Sequence, residues 1–240
     1  MQIRRLFALL LAVVMVLTLA ACGSKQTADK PSDPSQQADG SETNKNAATE
    51  TEEAEEDDSA KENRILTLYF SADNTKDVDA VSSATPMTNG TASVEWIANI
   101  IHDNIGGDLV PIIPSVDYPL EYNALADYAK KERDNGGRPA FENLSVDPTS
   151  YDVVFIGYPV WWYEMPMIMD TLFDTYDFSG VTIVPFNTHA GSRDGGTYGD
   201  IKELEPNATV LEGLAVRGED AGKDSTKEAV LSWLEGLDLE

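Results

Sequence analysis

Tyr158-Pro159-Val160-Trp161-Trp162-Tyr163 sets two adjacent tryptophans and a tyrosine at the end of an apolar run. Rings so placed cannot all turn inward from a tight loop, and exposed aromatic surface suits a flat ring system that stacks on it. Covering the edge of a sheet would occupy one or both tryptophans without any ligand. A second segment, Asn187-Thr188-His189-Ala190-Gly191-Ser192-Arg193-Asp194-Gly195-Gly196-Thr197, combines small residues and hydroxyls that allow close backbone approach. His189 has the chemistry to bond a ring edge or to move a proton; capping the crevice is its plainer use. A hydrolase would pair a serine with His189 and an acid. The chain has no Gly-x-Ser-x-Gly elbow, and Ser192 follows His189 by only three residues, so hydrolysis is set aside. A third segment begins Ser71-Ala72-Asp73-Asn74-Thr75 and ends Asn89-Gly90-Thr91-Ala92-Ser93. Hydroxyls, glycine and backbone amides at a helix N-terminus hold an anion without a cation. Thr91 or Ser93 acting as a simple helix cap explains the same residues.

These segments need a scaffold, and the hydrophobic pattern supplies one. Ile65–Phe70, Asp152–Tyr158 and Val181–Phe186 are continuous apolar and β-branched runs, read as strands covered on both faces. Asp108–Ile113 is a short strand closed by Pro114, and Val210–Val216 is a weak final strand interrupted by glycine. Val94, Ile97, Ile101 and Ile105 recur at helical spacing within Val94–Ile105, which Gly106-Gly107 ends. Tyr122–Arg133 reads as a polar helix, Met165–Phe173 and Ile201–Leu204 as shorter ones, and Ser225–Leu237 as a closing amphipathic helix. Strands alternating with helices imply an α/β domain with a five-stranded parallel sheet, and ligands belong at the carboxyl ends of its strands. Ser71–Ser93, Pro159–Glu164 and Asn187–Thr197 then meet in one crevice.

The chain of 240 residues carries 42 acids, 17 bases and one cysteine. Residues 1–22 hold two cations and no acid, residues 23–63 hold 12 acids and 4 bases, and residues 64–240 hold 30 acids and 11 bases. The last segment's net charge of −19 excludes nucleic acid and anionic lipid as partners of the domain, because both need clustered Lys and Arg. A single cysteine excludes an internal disulfide and a cysteine-based zinc site, and two histidines argue against a His-rich one. Arg4 and Arg5 precede the 14-residue apolar run Leu6–Leu19, too short to span a membrane comfortably and suited to a secretory signal. Leu19-Ala20-Ala21-Cys22-Gly23 resembles the lipobox of bacterial lipoproteins, which implies a signal peptide over residues 1–21 and lipidation of Cys22. Residues 22–63 contain almost no large apolar side chains and read as a disordered acidic linker, with a reach of roughly 35 Å.

The stretch from Tyr151 to Ala208 resembles the flavodoxin family, in particular its shorter bacterial members. It reads YDVVFIGYPVWWYEMPMIMDTLF, then YDFSGVTIVPFNTHAGS, then GDIKELEPNATV. The N-terminal Leu-Tyr-Phe-Ser and the Trp233-Leu234 helix are similar too, so the likeness covers residues 64–240. The resemblance implies a three-layer flavodoxin-like domain binding FMN without a covalent bond. Its phosphate would lie in the first loop, which Ser71 and Ala72 begin. That loop departs from the family's Ser-x-Thr-Gly-Asn-Thr by lacking its glycine, and Gly90, Thr91 and Ala92 would take over near the helix. The ring would lie between Pro159, Val160, Trp161, Trp162 and Tyr163 on one side and Thr188, His189, Ala190, Gly191 and Ser192 on the other. The expected function is electron carriage between redox partner proteins, with a lipid anchor at Cys22 as the only membrane contact and the domain on the extracytoplasmic face. A flavin-dependent reductase of quinones or similar small acceptors is the enzymatic alternative. A flavodoxin fold that has lost FMN and binds another partner is the non-enzymatic one.

Overall fold

Alternation along the strands divides the interior into two cores. In strand β1 (Ile65–Phe70) the side chains of Leu66, Leu68 and Phe70 enter one core while Tyr69 enters the other. Strand β3 (Val153–Pro159) repeats the pattern, Val154, Ile156 and Tyr158 facing one way and Val153 and Phe155 the other. Both faces are dry, as the continuous apolar runs require. Residues 63–72, 91–119 and 121–239 are described by the computed structural model, within a unit running from Asp57 to Glu240. The signal peptide, Cys22, the acidic linker and Gly90 all lie outside the described residues.

Between β1 and β3 come helix α1 (Ser93–Ile105), strand β2 (Asp108–Ile112) and helix α2 (Tyr122–Asp134). Helix α3 (Met167–Thr175), strand β4 (Thr182–His189) and helix α4 (Thr197–Leu204) follow. The chain closes with strands β5 (Thr209–Val210) and β6 (Leu214–Arg217) and helix α5 (Asp224–Glu235). All pairings between these named strands are parallel, in the order β2-β1-β3-β4-β5, with β6 also on β4. Val94, Ile97, Ala98 and Ile101 of α1 join Val230 and Leu234 of α5 on one face of the sheet. Leu125 of α2, Ile168, Met169 and Leu172 of α3 and Ile201 of α4 cover the other. This is the three-layer flavodoxin-like arrangement with its parallel sheet.

Three differences from the sequence reading have physical causes. The fifth strand position is held by two short pieces because Pro185 interrupts its ladder. Ile183 O accepts from Leu211 N on that edge at 3.0 Å, and Pro185, two residues on, faces the same edge without an N–H. Gly213 bridges the gap, where a Cβ would stand 2.5 Å from Pro185 O and 2.6 Å from the Tyr198 ring. Beyond the gap β6 pairs with Phe186 through His189, so Asn187, Thr188 and His189 are strand residues rather than loop residues. Helix α4 starts at Thr197, four residues before the expected Ile201. Gly195 and Gly196, with φ of 66° and 92°, make the turn into it, and Asp194 accepts from the Gly196 and Thr197 amides.

Candidate functional site

Trp162 and Tyr163 form the tip of a tight turn at the carboxyl end of β3. Trp161 N donates to Glu164 O and Glu164 N to Trp161 O, both at 3.0 Å. The two enclosed residues have φ of 54° and 65°, the signature of a type I′ turn that Asn-Gly ordinarily fills. Each costs about 1–2 kcal/mol relative to a right-handed backbone. Strain of this kind persists where surrounding structure enforces it, and here it aims three aromatic side chains in three directions. Trp161 turns inward, edge-on to Phe70 and Tyr118 at 5.6 Å from each ring. Trp162 lies back on α2, its Nε1–H donating to Ala126 O at 2.9 Å. Tyr163 projects outward and is 70 % exposed.

The turn after β4 approaches from the other side. Buried Asn187 donates from Nδ2 to Arg193 O at 3.1 Å and accepts from the Tyr198 hydroxyl. Thr197 Oγ1 donates to Asp194 O at 2.7 Å and meets the buried Tyr158 hydroxyl at 2.8 Å. Gly195 sits against the Tyr163 backbone so closely that a Cβ would stand 2.8 Å from Tyr163 O. His189 is 5 % exposed, and its Nδ1 accepts from Gly191 N at 2.9 Å. Burial, with the Arg217 and Arg193 charges behind it, pushes the imidazole below its ordinary value. The neutral ring thereby serves as a fixed acceptor that shapes the loop.

Between the two turns lies a cavity of about 390 Å³. Val160, Trp161, Trp162 and Tyr163 line one side and Ala190, Gly191 and Ser192 another. Pro159, Thr188 and His189 do not line it: Thr188 O accepts from Val160 N at 2.8 Å, so these residues join the strands beneath. A third wall was missed in the sequence. Tyr122, Leu125, Ala126 and Ala129 of α2 complete the lining. Their spacing of three, four and seven is a helical stripe that a helix judged polar as a whole conceals. Among the described residues no charged side chain lines the cavity.

Ser71 and buried Ala72 leave the end of β1, while Thr91 and buried Ala92 lead into α1. The Ala92 amide donates to Glu95 Oε2 at 3.4 Å. These four residues are separate from the cavity lining.

The chain from residue 64 to residue 237 matches the sequence profile described as Flavodoxin. The chain belongs to the flavodoxin family. A protein of Bacteroides eggerthii assigned as a flavoprotein is 30 % identical in sequence, with a TM-score of 0.55 over 72 % of this flavodoxin-family chain and 96 % of its own. Another from Bacteroides uniformis, assigned likewise, is 24 % identical, with a TM-score of 0.56 over 72 % and 98 % of the two chains. The second likeness speaks for the shared fold alone. No curated protein matches the chain.

Proposed function

We propose that this flavodoxin-family protein binds FMN in the cavity at the ends of β3 and β4 and carries electrons between redox partners. The observation that carries the reading is the aromatic-walled cavity, with no charged side chain among its described lining residues, between two turns held in fixed positions. Its volume and lining fit a planar tricyclic ring, and the Bacteroides eggerthii relative is assigned as a flavoprotein. FMN, when bound, would supply reversible one- and two-electron chemistry. The chain's part is to bind and tune. Trp162 and Tyr163 offer aromatic surface, and Gly191, with open space where a Cβ would stand, lets backbone approach the ring. Ser71, Ala72, Gly90, Thr91 and Ala92 would hold the phosphate near the N-terminal end of α1. A domain of net charge −19 opposes the negative charge that reduction adds, so it favours a low potential.

The wall supplied by α2 supports a second reading, reduction of a small quinone-like acceptor beside the flavin. Cys22 as a lipidation site would tether the domain at the extracytoplasmic face.

Titration of FMN into the full-length protein, purified in detergent, tests the main reading. Binding at one to one with quenched flavin fluorescence is expected. A folded protein that leaves flavin fluorescence unchanged refutes it. Quinone turnover with an added reductant separates reductase from carrier. Cys22→Ser is expected to abolish incorporation of labelled fatty acid, and a variant still labelled would remove the tether.

A further inference from the structure

Arg133 lies on the stripe of α2 that walls the cavity, one turn beyond Ala129. Its guanidinium carbon stands 5.7 Å from the centre of the Trp162 ring. Nη1 donates to the Trp162 carbonyl at 3.3 Å. Nε and Nη2 donate to Asp134 Oδ1 at 3.2 and 2.8 Å, and Asp134 is itself paired with Lys130. The carboxylate thus orients the planar fork so that one nitrogen and one face remain for Trp162. Together with the Ala126 carbonyl on its indole N–H, Trp162 is held at three points: ring face, ring edge and backbone. The backbone point matters most, because that carbonyl belongs to the peptide joining the two positive-φ residues. A turn built from bulky residues in the left-handed region relaxes unless something outside it holds it.

We infer that Arg133 is a positioning residue of the ligand cavity: it keeps the strained Trp162-Tyr163 turn docked on α2, so that the aromatic wall stands ready before a ligand arrives. The inference rests on the flavin reading only in its choice of FMN as the probe. A wall that is docked in all molecules costs the ligand nothing. One that is docked in a tenth of them weakens apparent affinity about tenfold.

Arg133→Gln, Trp162→Ala and the double variant, each in the full-length protein, form the test, with Arg133→Lys as the conservative replacement. FMN affinity is expected to fall about tenfold in Arg133→Gln and to recover in part in Arg133→Lys, which keeps the charge over the ring but loses the fork. In the Trp162→Ala background Arg133→Gln is expected to have a smaller effect than in the wild type, since the ring contact is already gone and only the hold on the carbonyl of residue 162 remains to be lost. The ligand-free protein gives an independent signature: Arg133→Gln should lose near-ultraviolet tryptophan dichroism and gain acrylamide quenching while far-ultraviolet dichroism is unchanged. Additive effects in the cycle overturn the inference, as does an Arg133→Gln variant with wild-type tryptophan signals. Should the wild-type protein bind no FMN, the functional reading fails, and the tryptophan signals of the ligand-free variants still decide the role of Arg133. A Gln variant that does not fold passes the decision to Arg133→Lys, whose tryptophan signals must then shift for the inference to stand.

Discussion

Replacing Tyr163 with glycine is expected to stabilise the protein while weakening its hold on a ligand. The side chain is 70 % exposed, so removing it forfeits little buried surface. Its φ of 65° lies where an L side chain costs about 1–2 kcal/mol and glycine costs nothing. Glycine's extra freedom in the unfolded chain takes back about 0.5–1 kcal/mol, which leaves a net gain of about 0.5–1 kcal/mol. Tyr163→Ala is the necessary control, since it removes the same ring and keeps the strain. At most exposed positions alanine is the more stable of the two; here the order reverses. Urea unfolding followed by far-ultraviolet dichroism measures that order, and each kcal/mol moves the melting temperature of a domain this size by about 2–4 °C. FMN titration of the same pair should show both variants weakened alike. An alanine variant as stable as the glycine variant refutes the strain argument. Undiminished FMN affinity in both removes the ring from the site.

Gly157→Ala would place a Cβ within 2.1–2.8 Å of three atoms of the buried Phe186 ring, and a loss of about 1–3 kcal/mol is expected from overpacking; an unchanged urea midpoint would show that the ring yields freely. Asn187→Ala removes the donor to Arg193 O and the acceptor of the Tyr198 hydroxyl. It should cost about 1–3 kcal/mol and speed amide exchange between residues 191 and 195, with unaltered exchange counting against the pin. His189, held below its ordinary 6.5 by burial and two arginines, contributes stability that is complete above that value. The contribution is lost as pH falls from 6.5 toward the pH at which the folded ring itself takes a proton. His189→Asn keeps an acceptor for Gly191 without a titrating proton, so the stability difference between it and wild type should change between pH 7 and 5; a constant difference refutes the assignment.

The scaffold was readable because its signals are local. The apolar runs in β1, β3 and β4 and the four-residue rhythm of α1 each declare an element within a dozen residues. What the sequence hid is non-local. Thr188 and His189 look like loop residues until β6, nearly thirty residues later, extends the ladder over them. The α2 wall escaped notice because Ala126 and Ala129 are small and their helix is otherwise charged. The left-handed conformation of Trp162 and Tyr163 has no signature in those residue types, which seldom adopt it; it follows from Arg133, Ala126 and Gly195 gathered around the turn. For Trp161 and Trp162 the two uses weighed from sequence merge. Each is packed against protein, and each still presents surface to the cavity.

The margins of the sheet carry a further consequence. A strand with a bare edge is a template on which another copy of the chain can add its own strand. One margin here is β2, five residues long with Pro111 inside it. The other is broken into pieces of two and four residues. Neither offers a continuous row of donors and acceptors, so neighbouring copies have nothing to zip onto. Pro185 and Pro111 thus act as stops against fibre-like growth, a protection that persists in high salt, where mutual repulsion between acidic surfaces is screened.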